Sequence, residues 1–302
     1  MKIAAVSDLH VRPGGEDDPL IDAVRSRVEE TDPDVFVIAG DTSSQIDILS
    51  QTLSKLKLHD ASCLYVAGNH DIWFEKERGL GSLAKYSREI GRVCSENGFI
   101  HLPDGPHIEG ETAFVGSIGW SDYSFRRPEL GIPMSAYEAK EYRGAVWYDV
   151  FNVDWEFTDA EATSLFNKKL SYDLSVLPHT VDHVIYVSHH LPFQELTLYK
   201  NRLPWDFFSA YMGAKSTGEL ILNDGRVFMT ISGHSHIRSC VTVGRITAIT
   251  VPLGYGRPTD DKYEQLAHDA VAVIEVNGRN VKLTDFKYGD LSEGLPYTFS
   301  VR

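Results

Sequence analysis

The chain has 302 residues, 42% hydrophobic and 24% charged, an ordinary balance for a soluble globular protein of one large or two small domains. Twenty-nine Lys and Arg stand against 43 Asp and Glu, and the net charge of −14 weighs against a basic face gripping duplex DNA through its phosphates. No stretch approaches the ~20 apolar residues of a membrane span. Met1-Lys2 runs straight into an apolar strand pattern too short for a signal-peptide core. Cys63, Cys94 and Cys240 form an odd, sparse set with no Cys-x-x-Cys spacing, so no disulfide framework is expected and a reducing cytoplasm is the simplest compartment.

Taken in order, Ile3 to Ser7 predicts a first strand ending on Asp8-Leu9-His10. Asp18-Pro19 starts a helix, with Asp at the cap and Pro at the first helical position, and Leu20, Ile21, Val24 and Val28 on one face. Asp32-Pro33 stops it. Val35 to Ala39 is a second strand ending on Gly40-Asp41, followed by a helix from about Gln45 with Ile46, Leu49, Leu53 and Leu56 at helical spacing. Ser62 to Ala67 is a third strand, and Gly68, lacking a Cβ, lets the chain turn and deliver Asn69, His70 and Asp71 at its carboxyl end. Helix three covers roughly residues 82–97, with Gly98 as a left-handed cap. Three βα units in succession predict a parallel sheet with crossover helices.

The pattern then changes. Pro103-Asp104-Gly105 predicts a turn and Thr112 to Gly116 a strand. From Trp120 to Phe157 periodicity breaks down, and ten of 38 residues are aromatic. A Thr158-x-x-Glu161 capping box opens a helix toward Leu170. His183 to Ser188 is a strand ending on His189-His190, and a second aromatic segment runs from Phe193 to Tyr211. Ser216-x-x-Glu219 caps a short helix, and Val227 to Ile231 ends on Gly233-His234-Ser235-His236. The tail is expected to be all β, with Asn277-Gly278 as a type I′ hairpin signal.

Five apolar runs thus end on side chains that bind metals: Asp8 and His10, Asp41, Asn69, His189, then His234 and His236. If the strands share one sheet, their carboxyl ends form one edge, which is where open α/β sheets bind ligands. Seven donors exceed what one zinc needs and suit two metals bridged by a carboxylate. Two carboxylates, one amide and four imidazoles, without a thiolate, fit manganese, iron or zinc. Such a pair, ~3.5–4 Å apart, activates water and clamps a phosphoryl group.

The series Asp8-x-His10, Gly40-Asp41, Gly68-Asn69-His70-Asp71, His189 and Gly233-His234-x-His236 resembles the calcineurin-like metallophosphoesterases, in that family's order. The resemblance implies an α/β (α+β) fold, a four-layer αββα sandwich, here with an irregular aromatic-rich insertion. It implies Asp8, His10, Asp41 and His236 around one metal and Asp41, Asn69, His189 and His234 around the other, with Asp41 bridging. His70 then serves as general acid or phosphate contact. The implied reaction is hydrolysis of phosphomonoesters or phosphodiesters through a dinuclear metal-bound hydroxide. A single domain over 1–302, with 120–180 as insertion or cap, is the expected organisation.

Two positions depart from the pattern. Asp71 stands where the family often has Glu, a residue that is not a ligand there. The ligand of the His189-His190 doublet is assigned to His189, which follows the small Ser188; His190 takes that place if the strand runs one residue longer. Two further readings stand beside the enzyme: a nuclease for short or single-stranded nucleic acid, and a non-catalytic metal-binding scaffold. A scaffold is expected to lose ligands, and none of the seven is missing. Substrate choice is expected in the aromatic segments, with Arg126, Arg127, Arg202 and Arg257 as candidates for a second phosphate.

Overall fold

In a computed structural model describing residues 1–12, 18–254, 256 and 262–291, two six-stranded sheets lie face to face. The first contains β1 (Lys2–Val6), β2 (Val35–Ala39), β3 (Ser62–Val66), β4 (Ile100–His101), β13 (Ala272–Asn277) and β14 (Asn280–Asp285), in the order β14-β13-β1-β2-β3-β4. The second contains β5 (His107–Glu109), β6 (Thr112–Ser117), β9 (His183–Ser188), β10 (Val227–Ser232), β11 (Cys240–Val243) and β12 (Ile246–Thr250), in the order β11-β12-β10-β9-β6-β5. β7 (Glu141–Tyr142) and β8 (Ala145–Val146) pair separately as a short ribbon. Strands β1 to β4 of the first sheet, and β6, β9, β10 and β12 of the second, run parallel.

Strand periodicity divides the side chains between two faces. Ile3, Ala5, Val35, Val37, Leu64 and Val66 meet Ile185, Val187, Ile231 and Ile249 between the sheets. Ala4, Val6, Phe36, Ile38 and Tyr65 point the other way, against α1 (Pro19–Thr31), α2 (Ile46–Leu56) and a helical stretch over 82–96. On the far side of the second sheet, Leu170 and Leu174 of the helix Asp159–Ser175 and Ile221 of the helix Lys215–Asn223 cover Ala113, Val115, Val184 and Ala248. The layers are therefore helix, sheet, sheet and helix, the αββα sandwich. Caps appear where the sequence places them: the Asp18 carboxylate accepts from Leu20 N at 3.0 Å, and the Thr158/Glu161 box is complete.

Four expectations are corrected. The five strands do not share one sheet; β1, β2 and β3 belong to the first, β9 and β10 to the second, and their carboxyl ends converge because the sheets are stitched there by Ser7 N to Val251 O and Leu253 N to Ser7 O, both 2.9 Å. The tail is not all β: a helix spans Tyr263–Ala270 and buries Leu266, Ala267 and Ala270. Ser216 lies inside its helix, which begins at Lys215 with no side-chain cap. In the β13–β14 hairpin Asn277 pairs with Asn280, and only Gly278 has positive φ, 56°; a type I′ turn at Asn277-Gly278 would need it at both.

Candidate metal centre

The loops that follow the five strands leave ordinary backbone geometry. Asp8, His10, Asp41, His234 and His236 all have positive φ, between 45° and 67°, a region that costs a non-glycine residue on the order of 1–3 kcal/mol when held there. The core between the sheets sustains this, since each fully buried valine or isoleucine contributes roughly 1.5–3 kcal/mol. Five strained residues in one place are a mark of function rather than of packing. Glycines let the loops approach one another: a Cβ on Gly68 would lie 2.1 Å from Asp41 Oδ1, and one on Gly233 2.7 Å from Asp8 Oδ2.

The strand-end loops are tied by Asp71. Its buried carboxylate accepts from the backbone N–H groups of Asp41, Thr42, Ser43 and Gly68 and from the Tyr65 hydroxyl, at 2.7–2.8 Å. Asp71 thereby fixes the turns after β2 and β3 together without facing the centre.

Three overlapping groups of donors result: Asp8, His10 and His236; His10, Asp41 and His70; and Asp41, His189 and His234. Asp41 Oδ1 accepts from His70 N at 2.9 Å. Its Oδ2 lies 3.2 Å from His189 Nε2, 3.8 Å from His10 Nε2 and 3.9 Å from His70 Nε2. Asp8 Oδ1 lies 3.4 Å from His236 Nε2. Three imidazoles spend one N–H on a backbone carbonyl: His189 Nδ1 on Ala39 O at 2.9 Å, His236 Nδ1 on Gly254 O at 2.6 Å and His234 Nε2 on Tyr211 O at 3.2 Å. A carbonyl can only accept, so the other nitrogen of each ring faces the centre: His189 Nε2 toward Asp41, His236 Nε2 toward Asp8, and His234 Nδ1 toward His189 Nε2 at 3.1 Å, as second-shell bonding orients a metal ligand.

Electrostatics agree with a cation at this point. Burial opposes ionisation of Asp41, but His189 and His70 hold it well below the usual carboxylate range. Burial likewise works against charge on His189, yet the adjacent Asp41, with Asp8 behind it, lifts this imidazole to about 9. Burial and the neighbouring His190 and His189 keep His234 neutral, the form that binds metal. Asn69 Oδ1 is buried with no hydrogen-bond partner, a cost of roughly 1–3 kcal/mol unless something else satisfies it. The donor set therefore fits two divalent metals.

Sequence reasoning missed Asp149, in the short helix Asp149–Asn152. This buried carboxylate accepts from Asn69 Nδ2 at 3.0 Å, Trp73 Nε1 at 2.7 Å and Trp147 Nε1 at 2.8 Å. It holds the Asn69 amide so that Oδ1 is the atom left over, and it anchors Trp73, whose ring stacks on His70 with centroids 3.8 Å apart. Nothing in the sequence singles out an acid 80 positions from its partner. Asp149→Ala is expected to weaken metal affinity and activity about 10–100-fold, the usual scale for losing such an outer partner. Competition titration with a chelator checks this, and unchanged affinity and rate would remove the role.

The strand β9 ends at Ser188. His189 reaches Asp41, whereas His190 donates Nδ1–H to Ile118 O at 3.2 Å and packs on the rings of His234 and Trp120. The arginines lie elsewhere. Arg126 bonds to Tyr123 O at 3.2 Å; Arg127 pairs with Glu129 and with Asp206 at 3.0 Å and sits over the Tyr199 ring. Arg202 is exposed, and Arg257 lies outside the described residues.

Residues 1–238 match the family model described as calcineurin-like phosphoesterase, a span that contains every residue of all three groups. Among solved structures, a phosphopantetheinyl hydrolase from Mycobacterium tuberculosis is 20% identical with a TM-score of 0.68, over 84% of this chain and 89% of that one. A dimetal phosphatase from Danio rerio is 15% identical with a TM-score of 0.54, over 96% of each chain. Both share the fold. No curated protein matches the chain.

Proposed function

The chain belongs to the calcineurin-like phosphoesterase family and is a metal-dependent hydrolase of phosphoester bonds, and on that premise we propose which residues carry the reaction and on what substrates. Asp8, His10, Asp41 and His236 hold one divalent metal, Asp41, Asn69, His189 and His234 the other, with Asp41 shared. The observation that carries this is the set of three histidines whose outer N–H groups are spent on carbonyls while their inner nitrogens converge on the buried Asp8 and Asp41: His236 on Asp8, His189 on Asp41, and His234 against His189. Manganese, iron or zinc suits these nitrogen and oxygen donors. When bound, the pair supplies Lewis acidity toward the phosphoryl oxygens and an acidified water.

The chain's own part is to hold the donors and to move a proton. Asp71 and Asp149 fix the loops and the Asn69 amide. His70, about a third exposed and stacked on Trp73, stands beside Asp41 and gives its ring proton to the departing oxygen. The Trp73 backbone is held in turn by the buried Lys85, whose Nζ donates to Trp73 O at 2.8 Å. The three free thiols support a reducing cytoplasmic setting. The net charge of −14 opposes duplex nucleic acid, so small-molecule phosphomonoesters and phosphodiesters are the proposed substrates.

The test is a panel of both ester classes, run with manganese-, iron- or zinc-loaded protein and again after chelation. Turnover of at least one class, abolished by chelator and restored by metal, is expected. Metal-loaded protein inert toward every ester would overturn the reading.

A further inference from the structure

Resting on that reading, we infer that the organic part of the substrate sits in a cavity of about 400 Å³ beside the centre, and that it is a flat, uncharged, apolar group. The size is in the range of small-molecule sites. Asp41, Asn69, His70, His234 and His236 line one side, so whatever fills the cavity touches the reacting region. The rest of the lining includes Trp147, Leu198, Trp205, Phe208, Met212 and Ile237. It draws on both aromatic segments, which the fold brings together over a small core of Tyr123, Tyr137, Phe207 and Tyr211.

This wall offers mostly carbon; Thr197, whose buried Oγ1 has no hydrogen-bond partner, also lines the cavity. The Trp147 N–H is held by Asp149 at 2.8 Å and the Trp205 N–H by Leu198 O at 2.7 Å. Ser209 and Ser235, which also line the cavity, donate their hydroxyls to Trp205 O at 3.4 Å and Ile237 O at 2.9 Å. The rings are fixed in place: Trp147 stacks on Tyr211 with an interplanar angle of 7°, and the Lys200 ammonium lies 3.4 Å over the Trp205 ring. A rigid aromatic wall rewards a flat partner, because little side-chain freedom is lost on contact. No lysine or arginine among the described residues lines the cavity, so a second phosphate finds no partner in this wall.

Phenyl phosphate and 2-naphthyl phosphate test this, since their leaving phenols are of similar acidity and differ by one fused ring. Metal-loaded protein should favour the naphthyl ester about tenfold in kcat/KM, as burial of the added ring carbons requires. Trp205→Ala should bring that ratio close to one with metal content unchanged, and Trp205→Phe should keep most of it. Calorimetric titration with the inert phenyl- and 2-naphthylphosphonates should show the same preference in affinity. Equal turnover of both esters, or a preference that survives Trp205→Ala, would overturn the cavity assignment while leaving phosphoester hydrolysis intact. Preferential phosphonate binding without turnover would uphold the cavity and count against the hydrolytic reading.

Discussion

Asp41→Ala is expected to empty both halves of the centre and to lower phosphoester turnover by about 10³-fold or more, the scale of removing a group on which the whole constellation depends. The Asp41 carboxylate links the groups: it stands with His189 and His234 in one and with His10 and His70 in the next, and His10 joins that one to Asp8 and His236. Oδ2 stands within 4 Å of His189, His10 and His70, and Oδ1 is held by the His70 backbone. Its loss leaves imidazoles facing one another without the negative charge that favours a cation among them. Asp8→Ala should be milder in one respect: it removes the partner of His236 and should mainly empty one half. Metal analysis of the two variants distinguishes them, and equal losses from both would argue against a shared carboxylate.

His70→Ala should keep its metals and lose about 10²–10⁴-fold in rate, the usual worth of a positioned general acid. Its loss should be larger for alkyl esters than for nitrophenyl esters, because an alkoxide needs the proton and a nitrophenolate does not. The geometry supports this assignment in two ways. The His70 ring is 31% exposed, where the cluster histidine His189 is fully buried, so a substrate can reach it. Trp73, fixed by Asp149, stacks on one face and sets its angle. Equal losses on the two ester types would make His70 a phosphate-binding or orienting residue. Asp41 and Asp149 act on different atoms of the same assembly, so their variants should not combine additively with His70→Ala.

Much of this candidate site was legible in the sequence, because an apolar run that stops on a polar donor encodes both a strand and a candidate ligand. Asp8, Asp41, Asn69, His189 and His234 each follow such a run, and the structure brings all five together. What the pattern did not carry was long-range. That two sheets rather than one supply the loops depends on the Ser7 stitch to Val251 and Leu253. The strained φ values at five cluster residues are imposed by their neighbours, and although Asp and His tolerate positive φ better than most residues, residue type alone does not show which of them adopt it. Asp149 lies in a stretch without periodicity, and its role comes from bonds to Asn69 and Trp73 across the fold. The helix Tyr263–Ala270 is short and follows a polar segment, so its few apolar positions gave too little period to compete with the strands around it.

The central claim, two metals sharing Asp41, is tested most directly by elemental analysis of the reconstituted wild-type protein. About two transition-metal ions per chain are expected, as a dinuclear centre requires. One ion per chain, or none, would contradict it.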